Sequence, residues 1–204
     1  VPRICFINKM DRVSANFYGS VDTLIEKLEA NPVCIQIPIG AEDRFQGVVD
    51  LISMKAIVWP DSGNGDAFEV REIPPELEAD AAKYREKLID KAAEVDDTLA
   101  DKFLMGEAIS ELDLIRALRD GTIQMKLFPV LCGAAFKKKG VQTLLDAVVR
   151  FLPSPLDVPP VVGHDPDKSE REITCQTNWD ENLAALSFKI ANDPFAGALT
   201  YVRV

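Results

Sequence analysis

Four consecutive residues near the start of the chain, Asn8, Lys9, Met10 and Asp11, have the types and spacing needed to recognise a flat hydrogen-bonding ring. The Asp11 carboxylate can accept two adjacent donors at once, and guanine presents such a pair, its ring N1–H and its exocyclic amine. Adenine has an acceptor at N1 and lacks that amine, so it would leave the carboxylate unpaired. The pattern N-K-x-D therefore predicts a site that selects guanine.

The other three residues of the motif have separate predicted roles in nucleotide binding. Asn8 can donate to the ring N7 and brace the neighbouring loop, and Lys9 can lay its aliphatic stem along the base while its ammonium stays in water. Met10 stands at the position that tolerates variation. The same four letters also suit an ordinary turn, because Asn and Asp favour turns. A second element is needed to decide between the two interpretations.

Two apolar runs are predicted to place such a site at one edge of a sheet. Residues 4–7, just before the motif, and residues 127–132 both indicate buried parallel strands. The second run leads into Gly133-Ala134-Ala135, whose small side chains let the backbone approach a flat ligand. We expect Ala134 and Ala135 to contact the nucleotide, with the Ala135 N–H donating to guanine O6.

Several segments of the chain resemble elongation factor G, in the same order along the sequence. They are residues 2–12 (PRICFINKMDR), 36–42 (QIPIGAE), 132–142 (CGAAFKKKGVQ), 152–159 (LPSPLDVP) and 188–195 (FKIANDPF). One residue departs from that family's usual pattern: Ala134 stands where a serine is usual. A hydroxyl that could brace the loop is therefore missing, although the expected base contact is made by backbone.

The resemblance implies an α/β fold: half of a P-loop-type GTPase parallel sheet, an inserted α+β subdomain, and the first strands of a β-barrel domain. Residues 1–30 and 125–155 would form the discontinuous GTP-binding part, residues 31–124 the insertion, and residues 156–204 a linker and the barrel strands. Val1 and Val204 each lie in a strand-like run, so we expect an internal piece of a longer protein.

The hydrophobic pattern supports this organisation. We expect Ser14 to cap the helix after the motif, and residues 141–152 to form a strongly amphipathic helix. Strands are predicted at residues 33–39, 47–51, 55–59 and 68–72, followed by helices that begin at Pro75 and at a Ser110–Asp113 capping box. Strands followed by helices favour an α+β insertion over a coiled coil.

The chain carries a net charge of −10, and residues 66–120 hold 16 acidic against 8 basic residues. This acidic stretch is either a solvated helical surface or a docking face for a basic partner. The four cysteines form no C-x-x-C pair, and His164 lies in a polar stretch, so neither predicts a metal or catalytic site. No run of about 18 apolar residues predicts a membrane span.

The sequence lacks the residues that would handle phosphates. No glycine is followed by lysine and no D-x-x-G occurs, so neither the phosphate loop nor the γ-phosphate sensor is present. We therefore predict no catalytic and no metal-binding residue in these 204 residues. The run 137–139 of three lysines is expected to be a solvated or ribosome-facing turn.

The resemblance implies a GTPase that binds GTP and GDP with Mg²⁺ and drives ribosomal translocation. Its partners would be the ribosomal stalk protein, through the acidic insertion, and ribosomal RNA, with no membrane. The bacterial cytoplasm is the expected location, with a mitochondrial or plastid matrix as alternatives. A ribosome-protection or release-factor type of translational GTPase is the alternative activity, and a protein-interaction module is the alternative for this stretch alone.

Overall fold

The computed structural model describes residues 1–60, 65, 67–165, 167 and 170–204. The chain divides into two compact units, Val1–Leu152 and Pro153–Val204. The helices and strands of the first unit are β1 (Cys5–Ile7), α1 (Phe17–Leu28), β2 (Pro32–Cys34), β3 (Gln36–Ile39), β4 (Gly47–Asp50), β5 (Lys55–Val58), β6 (Glu69–Arg71), α2 (Pro75–Ala93), α3 (Asp97–Leu104), α4 (Glu111–Ile123), β7 (Phe128–Cys132) and α5 (Val141–Phe151).

A three-stranded parallel sheet with the order β1-β7-β2 holds the two predicted site loops. In its register Ile7 lies opposite Cys132, so β1 and β7 end side by side. Along the chain, β7 comes after α1 and all the elements from β2 to α4. In the sheet it nevertheless pairs between β1 and β2. The α/β class and the expected parallel sheet are confirmed.

The predicted strand 33–39 is two strands in two different sheets. Pro32–Cys34 pairs parallel with β7, whereas Gln36–Ile39 pairs antiparallel with β4 in a four-stranded sheet of order β3-β4-β5-β6. Ile35 joins them: its N–H donates to the Val130 carbonyl at 3.1 Å, and its carbonyl accepts from the Leu51 N–H at 3.0 Å. Both sheets bury this run, including the polar Gln36, which is 3% exposed, so burial does not change where the chain passes from one sheet to the other.

Two clusters of buried side chains pack the first unit. One lies mainly between the antiparallel sheet, α1 and the start of α2, and it includes Met10, Phe17, Ile37, Val49, Leu51, Trp59 and Ala81. The other lies among α2 to α5 and the parallel sheet, and it includes Val33, Leu88, Leu99, Leu114, Leu118, Leu131 and Phe151. The division of this unit into residues 31–124 and the flanking parts stays a prediction.

The helix ends follow the predicted signals with one exception. α4 begins with the expected capping box, in which the Asp113 N–H donates to Ser110 Oγ at 3.1 Å and Ser110 N–H donates back to Asp113 Oδ2. Lys102 also binds this carboxylate, and these hydrogen bonds lower the pKa of Asp113 to about 2. α1 is capped by Asn16, whose Oδ1 accepts from the Gly19 N–H at 2.9 Å, and not by Ser14.

Ser14 is unavailable as a cap because its backbone is left-handed, with φ of 66°. A capping residue needs an extended backbone, which Asn16 has with φ of −135°. The predicted helix after β7 is confirmed as α5, but its buried residues are Ala147 and Phe151. Neither is among the residues predicted for the apolar face, which are Val141, Leu144, Leu145, Val148, Val149 and Leu152; of these, Leu145 and Val149 are 60% and 79% exposed.

The second unit consists of two antiparallel pairs. β8 (Val161–His164) pairs with β9 (Glu172–Cys175), and β10 (Leu186–Asp193) pairs with β11 (Gly197–Arg203). β10 and β11 are consistent with the predicted strands of a following β-barrel domain. Across the part of the chain that the structure describes, no helix has both the length and the apolar character needed to cross a membrane.

Candidate functional site

The two predicted base loops meet at the carboxyl edge of the parallel sheet. The Gly133 N–H donates to the Ile7 carbonyl at 3.0 Å, and the Met10 N–H donates to the Gly133 carbonyl at 3.1 Å. These bonds continue the pairing of β1 and β7 beyond their ends. The N-K-x-D loop and the 133–135 loop are therefore held together by backbone, and the structure brings all six predicted site residues to one place.

Asn8 links the two loops through its side chain. Its Oδ1 accepts a hydrogen bond from the Ala135 N–H at 3.0 Å. This is the bracing expected of Asn8. It holds the Ala135 N–H, the group predicted to donate to guanine O6, at the carboxyl edge of the parallel sheet. The donation from Ala135 to a base stays a prediction.

The Asp11 carboxylate, the predicted guanine acceptor, is 12% exposed and pairs with Lys137. The Lys137 Nζ lies 3.3 Å from Asp11 Oδ2, and its side chain is 52% exposed. Sequence reasoning missed Lys137 as a site residue, although the basic run directly after the second loop was the available signal.

Lys9 and Met10 differ sharply in their surroundings. Lys9 is exposed and has a left-handed backbone with φ of 63°, so its side chain is free to reach the solvent face of a base. Met10 is only 1% exposed and belongs to the core that contains Phe17 and Trp59. That position 10 tolerates variation stays a prediction, and the burial limits such variation to apolar side chains, because a polar side chain there would be buried without a partner.

The second loop closes without the missing serine hydroxyl. The Ala134 N–H donates to the Lys139 carbonyl at 2.9 Å, and the Lys139 N–H donates back to the Ala134 carbonyl at 3.2 Å. A short 3-10 helix, Ala135–Lys137, spans the tip between them. Backbone hydrogen bonds between Ala134 and Lys139 thus brace the loop in which the usual serine hydroxyl is missing.

The three lysines of the tip are not one solvated group. Lys137 pairs with Asp11, while Lys139 is 5% exposed and its Nζ donates to the Phe45 carbonyl at 3.3 Å. The prediction of a solvated turn is therefore wrong for Lys139. Its ammonium is satisfied by a backbone carbonyl of the segment between β3 and β4, which a sequence pattern cannot show.

Four non-glycine residues with left-handed backbone surround the site: Lys9, Ser14, Glu42 and Lys138 have φ between 57° and 66°. Such residues persist only where surrounding contacts over-determine them, and they concentrate at functional sites. No group of three or more His, Cys, Asp or Glu side chains suited to a metal ion occurs within the described residues.

Known proteins match the chain over all or most of its length. The family described as "Elongation factor Tu GTP binding domain" matches residues 1–154. Elongation factor G 1 of Bdellovibrio bacteriovorus is 56% identical over 204 residues, which is all of this chain and 29% of that protein. The chain thus spans under a third of that relative's length, and the resemblance to elongation factor G is confirmed.

A solved structure gives the same fold. A crystal structure of a protein from Thermus thermophilus matches with a TM-score of 0.75 at 24% identity, covering 100% of this chain and 27% of that one. At that identity the match supports the fold alone. The match of the family over residues 1–154 settles the relationship, and the chain belongs to the family of elongation factor Tu GTP-binding domains.

Proposed function

We propose that this chain supplies the guanine-recognition loops of a GTPase that drives ribosomal translocation during the elongation stage of protein synthesis. One observation carries the proposal: Asn8 and Asp11 lie beside Ala135 at the shared edge of β1 and β7, bridged by the 3.0 Å bond from Ala135 N–H to Asn8 Oδ1. The 56% identity to an elongation factor G supports the choice of activity.

The proposed contacts follow from hydrogen-bonding chemistry. Asp11 accepts from guanine N1–H and the exocyclic amine, and the Ala135 N–H donates to O6. Asn8 orients the second loop through its Oδ1, and Lys9 covers one face of the ring with its stem. Met10 anchors the motif in the core, where it is 1% exposed, and Ala134 closes the second loop through Lys139.

The phosphates and the metal must be served by other parts of the full-length protein. GTP and GDP are the proposed ligands, and Mg²⁺ would bridge phosphate oxygens and neutralise their charge. No phosphate loop occurs in the sequence. Because phosphate contacts supply much of the affinity of a nucleotide site, these 204 residues alone should bind weakly.

Calorimetry with GDP tests whether the phosphate contacts come from other parts of the full-length protein. We expect the full-length protein to bind GDP with a dissociation constant of about 1 µM or lower, and residues 1–204 alone to bind at least about 100-fold more weakly, a loss of about 2.7 kcal/mol. Micromolar binding by the 204-residue chain would contradict the proposal. Failure of the full-length protein to bind GDP would contradict the assignment as a GTPase.

We also propose that the insertion contacts the ribosomal stalk protein through its acidic helices. Along α2 and its neighbours the carboxylates are largely solvent-exposed; these include Glu76, Glu78, Asp80, Glu86, Asp90, Asp97 and Asp101. Over residues 66–120 acidic side chains outnumber basic ones 16 to 8, and such an excess of negative charge attracts a basic partner and speeds association. Ribosomal RNA is a proposed partner of the rest of the protein, since an acidic face repels nucleic-acid backbone.

Charge reversal separates this docking role from nucleotide binding. Replacing Glu76, Glu78 and Asp80 by lysine in the full-length protein should weaken binding to purified stalk protein about tenfold or more at low salt, with GDP affinity unchanged. Replacing Glu26, Glu29 and Asp22 of the α1 region by lysine is the matched control. Equal losses of stalk and GDP binding would indicate misfolding, and unchanged stalk binding would refute the docking role.

Two alternatives remain for the activity and one for the stretch alone. A ribosome-protection or release-factor type of translational GTPase would share N-K-x-D, but the identity over the whole chain favours elongation factor G. A protein-interaction module, the alternative for this stretch alone, would bind the stalk protein and no nucleotide, so calorimetry on residues 1–204 with each ligand tests it. We propose the bacterial cytoplasm as the location, with a mitochondrial or plastid matrix as alternatives.

A further inference from the structure

A segment of the insertion lies directly against the N-K-x-D loop. Residues 40–46 connect β3 and β4 and contain a short 3-10 helix, Glu42–Arg44. The Glu42 N–H donates to the Met10 carbonyl at 2.8 Å, and Glu42 Oε1 accepts from the Ser14 N–H at 2.6 Å. Glu42 therefore binds the chain on both sides of Asp11, one residue before it and three residues after it.

The same segment also contacts the second base loop. The Lys139 Nζ donates to the Phe45 carbonyl at 3.3 Å, and Lys139 in turn closes the loop that carries Ala135. The turn itself is rigidly specified, since Gly40 has φ of +77° and an added Cβ would lie 2.1 Å from the Arg44 carbonyl oxygen. Residues 40–46 thus hold both base loops from the side of the insertion.

The backbone at these contacts is strained in a way that requires the contacts. Glu42 and Ser14 have φ of 57° and 66°, a conformation that non-glycine residues seldom adopt. The 2.6 Å hydrogen bond joins these two residues. Without the Glu42 carboxylate, the Ser14 N–H would lose its acceptor, and the segment would depend on the bonds from Arg12 N–H to the Lys9 carbonyl and from Ala15 N–H to the Arg12 carbonyl. The direction of the Asp11 side chain depends on the path of this segment.

We propose that Glu42 is a positioning residue for guanine recognition. By accepting the Ser14 N–H, its carboxylate holds the backbone that orients the Asp11 carboxylate toward the N1–H and the exocyclic amine of guanine. This inference rests on the proposed function of Asp11. Glu42 touches no nucleotide in this role. Its effect is on base discrimination, because misalignment weakens the contact to the amine more than contacts to the sugar and phosphates.

The test compares GDP with IDP, whose base lacks the exocyclic amine, in the full-length protein. The ratio of the two dissociation constants, IDP over GDP, measures how much the hydrogen bond from the exocyclic amine to Asp11 contributes to binding. We expect Glu42→Ala to lower this ratio at least threefold, and Glu42→Asp to lower it as well, because the shorter side chain cannot reach Ser14. Glu42→Gln keeps an oxygen acceptor and should restore the ratio to within twofold of the parent.

Asp43→Ala is the matched control, because Asp43 is an exposed carboxylate in the same 3-10 helix. It should leave the ratio unchanged. A merely structural Glu42 would lower GDP and IDP affinity by equal factors, and an unchanged ratio in Glu42→Ala and Glu42→Asp would overturn the inference. An Asp11→Asn variant with an unchanged ratio would instead overturn the proposed function, so the two failures are distinguishable.

Discussion

Replacement of Asp11 by asparagine is expected to weaken GDP binding by the full-length protein about 10²- to 10⁴-fold and to strengthen binding of XDP. Each hydrogen bond to a charged group contributes about 1.5–3 kcal/mol, and Asp11 is proposed to accept two from guanine. An asparagine amide would present an N–H to the exocyclic amine, which leaves two donors facing each other. Xanthine carries an oxygen at that position and would accept from the amide.

We expect the loss of GDP affinity in Asp11→Asn to come from the contacts to the base. The ion pair between Asp11 and Lys137 would also be lost, but Lys137 is 52% exposed, and exposed pairs contribute at most about 1 kcal/mol. The matched control is Asp22→Asn, which removes a carboxylate on the exposed surface of α1. That variant should bind GDP like the parent. Fluorescence titration with labelled nucleotides measures the affinities of the parent and of Asp11→Asn for GDP and XDP, and the affinity of Asp22→Asn for GDP.

Replacement of Gly133 by alanine is expected to destabilise the first unit by about 3 kcal/mol, near the upper end of overpacking effects. A Cβ there would lie 2.4 Å from the Lys139 carbonyl oxygen and 2.6 Å from the Phe6 ring. The carbonyl belongs to the backbone bond that closes the loop on Ala134, so it cannot move without opening the second base loop. GDP affinity should fall together with stability.

Chemical denaturation of the full-length protein measures the change, and Gly163→Ala provides the control. Gly163 lies in β8 with nothing within 4 Å of an added Cβ, so its replacement should alter stability by less than about 0.5 kcal/mol. If Gly133→Ala and Gly163→Ala unfold at the same denaturant concentration, the close packing of the two base loops described above is incorrect.

Local sequence signals predicted the elements that position the site because those signals are local in origin. Apolar runs ending in N-K-x-D and in small residues marked β1 and β7, and Ser110 with Asp113 marked the start of α4. Each of these depends on residues within a few positions of one another. The parallel pairing of β1 with β7 followed from the rule that such loops share one sheet edge.

The missed features depend on contacts between distant segments. The change of sheet at Ile35 depends on its backbone bonds to Val130 and Leu51, which lie far from it in the sequence. The burial of Lys139 needs the Phe45 carbonyl between β3 and β4, 94 residues away. Glu42 enters the sequence analysis only as the last residue of the segment 36–42, and the fold places it against Ser14. Charge and spacing cannot reveal such partners.

The central claim is that Asp11 selects guanine, and the most direct measurement of it is the ratio of XDP to GDP dissociation constants in the parent and in Asp11→Asn. We predict that the ratio is far above one in the full-length parent protein and falls below one in the variant. Such an inversion requires that residue 11 contacts the 2-position of the base. The same ratio in both proteins would contradict the assignment of this edge of the sheet as the guanine site.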